Sequence, residues 1–412
     1  MKVLIIGKYD IKGGSALAGY SIYKSLRDYT DIDTYLLCGD KIGNDSEVST
    51  IVSKNFRKFE KIFNVLFIES TVAQGYWLLS NLKIFTHPYL KDVDIINLHD
   101  IHGNFFSYPL IKKLSKIAPI VITMQGMWYI TGGCYFTYDC DNWKTGCKDC
   151  SDSRWYKNIV VDRPHFHWKH KKNIYSKSNL TGVTCSKWMQ NIIQESPLFE
   201  NKKVYHIYNP INTDNLKPLD KELSREILNL PKDKNIVCFG AADISDERKG
   251  FSLFIESITR DFVVKNDIFL ILMGADTSSI ISKIPDYLPY KYFGSVDLDI
   301  FRSIIYNAAD VFIFPTQADN LPNMLIETMS CGVPPITFDV GGCGEVVIND
   351  QTGYLAIKND FNDFNNGIIK LCQDEVLRRR LSENCRTNVI ENFSLKVCAD
   401  KYSQVFREVL NK

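Results

Sequence analysis

The 412-residue chain has almost no net charge: 49 lysines and arginines stand against 48 aspartates and glutamates, leaving +1. Nucleic-acid binding through a global positive field has no electrostatic support in such a balance. Long apolar runs are also missing. No stretch approaches the ~18 apolar residues of a spanning helix. The opening MKVLIIGKYD has one lysine ahead of only four consecutive apolar residues and no cleavage site, so it reads as a first strand rather than a signal peptide. A cytoplasmic chain is the expectation. Repeats of solenoid length and low-complexity tracts are absent, which removes solenoids and tandem arrays. Nothing resembles a Ser-His-Asp triad or the paired carboxylates of a hydrolase. The twelve cysteines, in a chain read as cytosolic, are then thiols or metal ligands rather than disulfides.

What is present is globular. The apolar fraction is 45%, and 412 residues suggest two domains of about 200 residues each. Strand and helix patterns alternate. Strands read at 3–6, 33–37, 94–98, 120–124, 179–184 and 204–208, with a helix at 16–27 and a helix start at Ser186, a ready N-cap. Asn209-Pro210 breaks the pattern, and it restarts with strands at 236–239, 268–273, 290–293, 311–314 and 336–338. Helices are expected at 251–260 and 300–308, and from Phe361 to the end. This alternation predicts an α/β chain of two doubly wound domains.

Residues 309–354, ADVFIFPTQADNLPNMLIETMSCGVPPITFDVGGCGEVVINDQTGY, are the most informative. A strand at 311–314 stops at Pro315. A polar loop with Asp319, Asn320 and Asn323 feeds a short helix, 321–329, that carries Glu327. Cys331-Gly332 ends it, and the next strand runs into Gly341-Gly342. A strand that stops at a polar loop and enters a helix N-terminus offers free backbone N–H groups and a favourable dipole to an anion. Both loops should lie at the C-terminal edge of one parallel sheet, where open α/β folds bind ligands.

The series Pro315-Thr316, Asp319, Glu327, Ser330-Cys331-Gly332-Val333-Pro334, Gly341-Gly342 and Glu345 resembles the donor site of retaining nucleotide-sugar glycosyltransferases of family 4. Its Asp-Asn-Leu-Pro-Asn form resembles the branch that builds bacterial exopolysaccharide and O-antigen. The family usually has glutamate where this chain has Asp319. The resemblance implies a GT-B architecture, two Rossmann-like domains facing a cleft. It divides the chain at 1–209, 210–391 and 392–412, the last being a helix that returns to the first domain. It implies a donor, a UDP- or GDP-sugar, bound by Arg248, Lys249, Gly294, Ser295, Val296, Asp319, Asn320, Leu321, Pro322, Asn323, Met324 and Glu327, with Gly13 and Gly14 contributing from the first domain.

In this scheme Glu327 accepts from the ribose hydroxyls, and Asp319 lies nearer the transferred sugar. Arg248 and Lys249 meet the charge that grows on the leaving diphosphate. His99, after the strand at 94–98, would donate to a sugar hydroxyl or handle a proton; His102 is the lesser candidate. Asp319, His99, Arg248 and Lys249 form the catalytic set. Gln125 stands where relatives carry a histidine, and would contact a sugar hydroxyl without taking up a proton. Catalysis would need no cofactor. Bland alternatives stand beside these roles: helix capping for Asp319, a solvated pair for Arg248 and Lys249, a structural imidazole for His99.

Cys134, Cys140, Cys147 and Cys150 follow Cys-x5-Cys-x6-Cys-x2-Cys within an insert at about 131–152. Four such thiolates could close a structural zinc site; two disulfides or free thiols are the alternatives. Residues 154–177 carry seven basic residues and one acid, interleaved with Trp155, Tyr156, Phe166, Trp168 and Tyr175. Phe56, Phe59, Phe63 and Phe67 recur at helical spacing beside Lys54, Arg57, Lys58 and Lys61. Both patterns suit a helix on an anionic membrane face, and the phenylalanine stripe suits core packing equally. The expectation is a hexosyltransferase of surface-polysaccharide synthesis, cytoplasmic or at the inner face of the cell membrane. It would act on a saccharide acceptor, lipid-linked, with no nucleic-acid partner. A nucleotide-sugar 2-epimerase and a non-catalytic sugar-binding subunit are the rival readings.

Overall fold

A computed structural model describes residues 1–67, 78–102, 105–150 and 163–411, with the backbone alone at 61, 64–67 and 163. The chain divides into two compact units, Met1–Asn209 with Cys398–Lys412, and Pro210–Val397.

Among the described residues the first unit has a seven-stranded sheet: β1 (Lys2–Tyr9), β2 (Asp33–Asp40), β3 (Ser49–Thr50), β4 (Ile95–His99), β5 (Ile120–Met124), β6 (Leu180–Thr184) and β7 (Val204–His206). Their order is β3-β2-β1-β4-β5-β6-β7, and every pairing is parallel. The chain winds one way from β1 and then the other from β4, so the order reverses between these two strands. β4, β5 and β6 are buried along their whole length, as expected of parallel strands covered on both faces. Alternate residues of β1 serve opposite cores. Val3 and Ile5 pack with Tyr402 and Phe406 of the helix Leu395–Leu410, while Leu4 and Ile6 join Phe105, Trp128 and Tyr129. The Tyr402 hydroxyl lies 3.1 Å from Thr123 Oγ1 on β5.

The second unit repeats the plan with β8 (Asn235–Asp243), β9 (Ile268–Ala275), β10 (Tyr290–Tyr292), β11 (Val311–Phe314), β12 (Pro335–Phe338) and β13 (Tyr354–Ala356). The order is β10-β9-β8-β11-β12-β13, again parallel. The fold class is therefore the α/β pair of Rossmann-like units that the alternation predicts. Two details differ. β8 does not stop near Gly240 but runs on to Asp243 through a register irregularity, so the loop carrying Arg248 starts later. The helix expected at 251–260 is two, Phe251–Ser257 and Arg260–Lys265, because the Thr259 hydroxyl accepts the Phe262 N–H and starts a new helix. Among the described residues no helix is long and apolar enough to cross a membrane.

Candidate functional site

In the second unit the loops after β8, β9, β10, β11 and β12 all leave the C-terminal edge of one sheet. Two of them are stitched together. Asp246 accepts the Arg248 N–H at 3.0 Å and caps the short turn Glu247–Lys249. The Arg248 carbonyl then accepts from the Thr316 hydroxyl at 3.1 Å and the Gln317 N–H at 2.8 Å. Gly250 closes the turn with φ +74°, and a Cβ there would sit 1.9 Å from the Pro315 carbonyl oxygen. Only glycine fits both the left-handed backbone and the contact.

This stitching makes an ion cluster. Asp319 Oδ2 lies 2.5 Å from Lys249 Nζ and 3.1 Å from Arg248 Nη1, while Oδ1 accepts the Asn320 N–H at 3.0 Å. Arg248 also reaches Asp246 at 3.0 Å and the Ala318 carbonyl at 2.9 Å, and Lys249 lies over the Phe314 ring at 4.7 Å. Burial alone would raise the Asp319 carboxyl, but Lys249 and Arg248 outweigh it and hold it below its ordinary value. Burial brings the Lys249 ammonium down, against the pull of Asp319. Arg248 and Lys249 are thus a cationic pair with a fixed counter-ion, not solvated side chains, and Asp319 is that counter-ion rather than a helix cap. Gly341 guards the same loop: its φ is +56°, and a Cβ would fall 1.7 Å from the Asp319 carbonyl oxygen.

The helix Asn323–Ser330 begins at Pro322 with no side-chain cap. Its Met324 packs on Gly240, where a Cβ would meet Met324 Cε at 2.2 Å. Asn320 and Leu321 are buried. One turn along, Glu327 is buried and tethered at both oxygens, by Tyr306 Oη at 2.8 Å and Arg302 Nη1 at 3.3 Å. Arg302 also holds Asp299 at 2.5 Å. Sequence reasoning missed Arg302 and Tyr306. Asp299, Arg302 and Tyr306 recur at three and four residues along the helix Asp299–Ala308, a polar stripe on one face that could have signalled them. Gly294 turns at φ +67° with nothing within 4 Å of a Cβ, and its carbonyl accepts the Gly274 N–H at 2.8 Å. Ser295 is exposed and Val296 half-buried.

The first unit departs further from expectation. Gly13, φ +87°, caps the helix Gly14–Tyr29, and a Cβ there would meet nothing within 4 Å. His99 is not an accessible imidazole. It is 2% exposed, fits because Gly19 has no Cβ, and its Nε2–H donates to the Ser15 carbonyl at 2.8 Å. Burial lowers its pKa, which suits a neutral structural ring rather than a proton carrier. The accessible ring is His102, with 31% of its side chain exposed and Nδ1 2.5 Å from Asp100 Oδ1. Gln125 does not offer its carboxamide as a lone sugar contact. Its Nε2 donates to Asn209 Oδ1 at 2.9 Å, and it accepts from Asn209 Nδ2 at 3.0 Å.

Among the described residues no three His, Cys, Asp or Glu side chains gather as metal ligands. Cys147 is buried beside Trp143 and Trp168 and accepts the Gly132 N–H at 3.2 Å, while Cys140 is exposed. Of the basic stretch, Lys169, Lys172 and Lys177 are exposed. Trp155, Tyr156 and the rest of 154–162 lie outside the described residues, as do residues 151–152 of the insert. Trp168 and Tyr175 are buried, and so is Lys171, which donates to the Thr131 carbonyl at 3.0 Å.

Residues 220–388, which include every ion-cluster and Glu327 residue above, match the family model described as "Glycosyl transferases group 1". The chain is similar to the "Capsular polysaccharide biosynthesis glycosyltransferase CapM" of Staphylococcus aureus, 34% identical over 107 residues, covering 26% of this chain and 28% of that protein. It is also similar to the "UDP-Gal:alpha-D-GlcNAc-diphosphoundecaprenol alpha-1,3-galactosyltransferase" of Escherichia coli, 31% identical over 109 residues, covering 26% and 28%. These matches thus take in little more than a quarter of either relative's length. Across the whole chain the fold matches a solved sucrose-phosphate synthase from Thermosynechococcus elongatus, with a TM-score of 0.70, 17% identity and coverage of 100% and 99%. This likeness establishes the GT-B type of two-unit fold.

Proposed function

We propose that the chain is a retaining glycosyltransferase. It takes a sugar from a nucleotide sugar and places it on a saccharide acceptor carried on a lipid diphosphate, in bacterial surface-polysaccharide synthesis at the inner face of the membrane. The observation that carries this reading is the Lys249–Asp319–Arg248 cluster at the C-terminal sheet edge, on the loop that feeds the helix carrying the tethered Glu327. Two cations that share the Asp319 carboxylate can exchange it for a diphosphate, and their charge then stabilises the leaving group. Glu327, oriented by Tyr306 and Arg302, retains acceptor lone pairs for the ribose diol. The helix from Pro322 brings backbone N–H groups to the same edge. Acceptor and donor class are inferred from the Escherichia coli relative, whose name includes a UDP-sugar and a diphosphoundecaprenol-linked saccharide. Those names describe transferases, which gives the isomerase reading no support.

The test is a panel of UDP- and GDP-sugars with and without a lipid-diphosphate saccharide, read as nucleoside diphosphate release and product configuration. One donor should turn over only with acceptor present, and the anomeric configuration should be kept. Release without transfer, or an isomerised donor, would refute the reading.

A further inference from the structure

The helix Lys54–Phe67 is built inside out. Two of its ionic residues face the protein: Arg57 and Glu60, each 3% exposed, pair at 2.8 Å, and Arg57 also lies 3.9 Å from Asp40. Glu60 Oε1 accepts the Ser80 N–H at 2.7 Å, which fastens the 3-10 helix Leu79–Thr86 alongside. Three of its apolar residues face out. Phe59 is 60% exposed and Ile62 61%, with Phe63 on the same face; Leu79 and Leu82 of the neighbouring helix are 54% and 58% exposed. Residues three and four apart share a helix face, so this is one patch and not scattered side chains. Simple core packing, the bland reading of the phenylalanine stripe, is excluded for Phe59 and Phe63; the side chain of Phe67 lies outside the described residues.

Charge identifies the occupant. Lys54, Lys58 and Lys83 are exposed beside the patch. Between 54 and 67 the only acid is Glu60, which is buried, and between 79 and 90 there is none. An apolar face rimmed by lysines, with no exposed acid among the described residues of the two helices, complements an anionic bilayer: the apolar side chains enter the acyl boundary and the lysines meet the headgroups. We propose that this face docks the chain on an anionic lipid surface. The proposal is independent of the sugar chemistry.

Flotation of the full chain with vesicles of mixed phosphatidylglycerol and phosphatidylcholine, against phosphatidylcholine alone, tests it. The wild type should float with the anionic vesicles and partly release in high salt. The variant F59S/I62S should partition about tenfold less or weaker still, because each side chain leaves the membrane interface. Its thermal melting should be unchanged, since both residues are already solvent-exposed. K54E/K58E should lose the preference for phosphatidylglycerol. Failure of the wild type to float, or flotation that F59S/I62S retains, would overturn the proposal. So would a wild-type dimer that F59S/I62S converts to monomer without any vesicle binding, because the face would then belong to a second copy of the chain.

Discussion

Lys249 Nζ and Asp319 Oδ2 lie 2.5 Å apart, although 70 residues separate them in the chain. That contact decides how the site stands without ligand: the cations a diphosphate would need are held by an internal anion. Asp319→Asn should therefore have two opposed effects. Stability should fall by about 2–4 kcal/mol, because Lys249 loses its carboxylate partner and Arg248 keeps only Asp246. A nucleoside diphosphate should restore more melting temperature to the variant than to the wild type, since it no longer competes with the carboxylate. Thermal melts with and without nucleotide measure both.

The Glu327 tether leads to a selective loss. Glu327→Gln should weaken ribonucleotide binding by about 1–3 kcal/mol, a charged acceptor being replaced by a neutral one. A 2′,3′-dideoxy nucleotide should lose nothing. Arg302→Gln should move affinity in the same direction by releasing the carboxylate, and the two substitutions combined should cost less than their sum. Calorimetric titration of the four proteins supplies the cycle.

The two histidines of the first unit should separate by assay. His99→Ala removes a buried ring and leaves the Ser15 carbonyl without its donor, so stability should drop by about 1–3 kcal/mol. His102→Ala should melt like the wild type and bind nucleotide normally, yet lose turnover if the acceptor meets this edge of the sheet. Melting curves and steady-state rates on both variants check the division.

Much of this was legible in sequence, and its limits are physical. β4, β5, β6, β11 and β12 are buried at every residue, so their short runs rich in apolar and β-branched residues mark them directly. The spacing from Asp319 to Glu327 places both on one loop-helix unit. Partner choice is a different matter. Nothing local ties Lys249 to Asp319, or Arg302 to Glu327, because sheet order brings them together. His99 and His102 sit three residues apart, and only the packing of Gly19 against β4 tells which is buried. The helix Lys54–Phe67 shows the same limit: periodicity reveals that it has two faces but not which one points outward.

A pH effect on stability follows from His206. Burial, with Lys401 and Lys187 close by, lowers its pKa from 6.5 to about 4. Below pH 6.5 the unfolded chain takes up a proton that the folded chain refuses, so stability falls as pH drops and levels off near the folded value of about 4. His206→Gln should be less sensitive across that window, by about 1–2 kcal/mol after allowing for solvent screening. Denaturant titrations at stepped pH values on the two proteins give the difference.

The most direct test of the donor site is calorimetric titration of UDP and GDP into the wild type and into Lys249→Met. One of the two nucleotides should bind the wild type with one site per chain. The variant should lose about 1–3 kcal/mol for the diphosphate and little for the corresponding nucleoside, which has no phosphate for Lys249 to meet. Binding of neither nucleotide to the wild type, or equal affinity for the diphosphate in both proteins, would contradict the account.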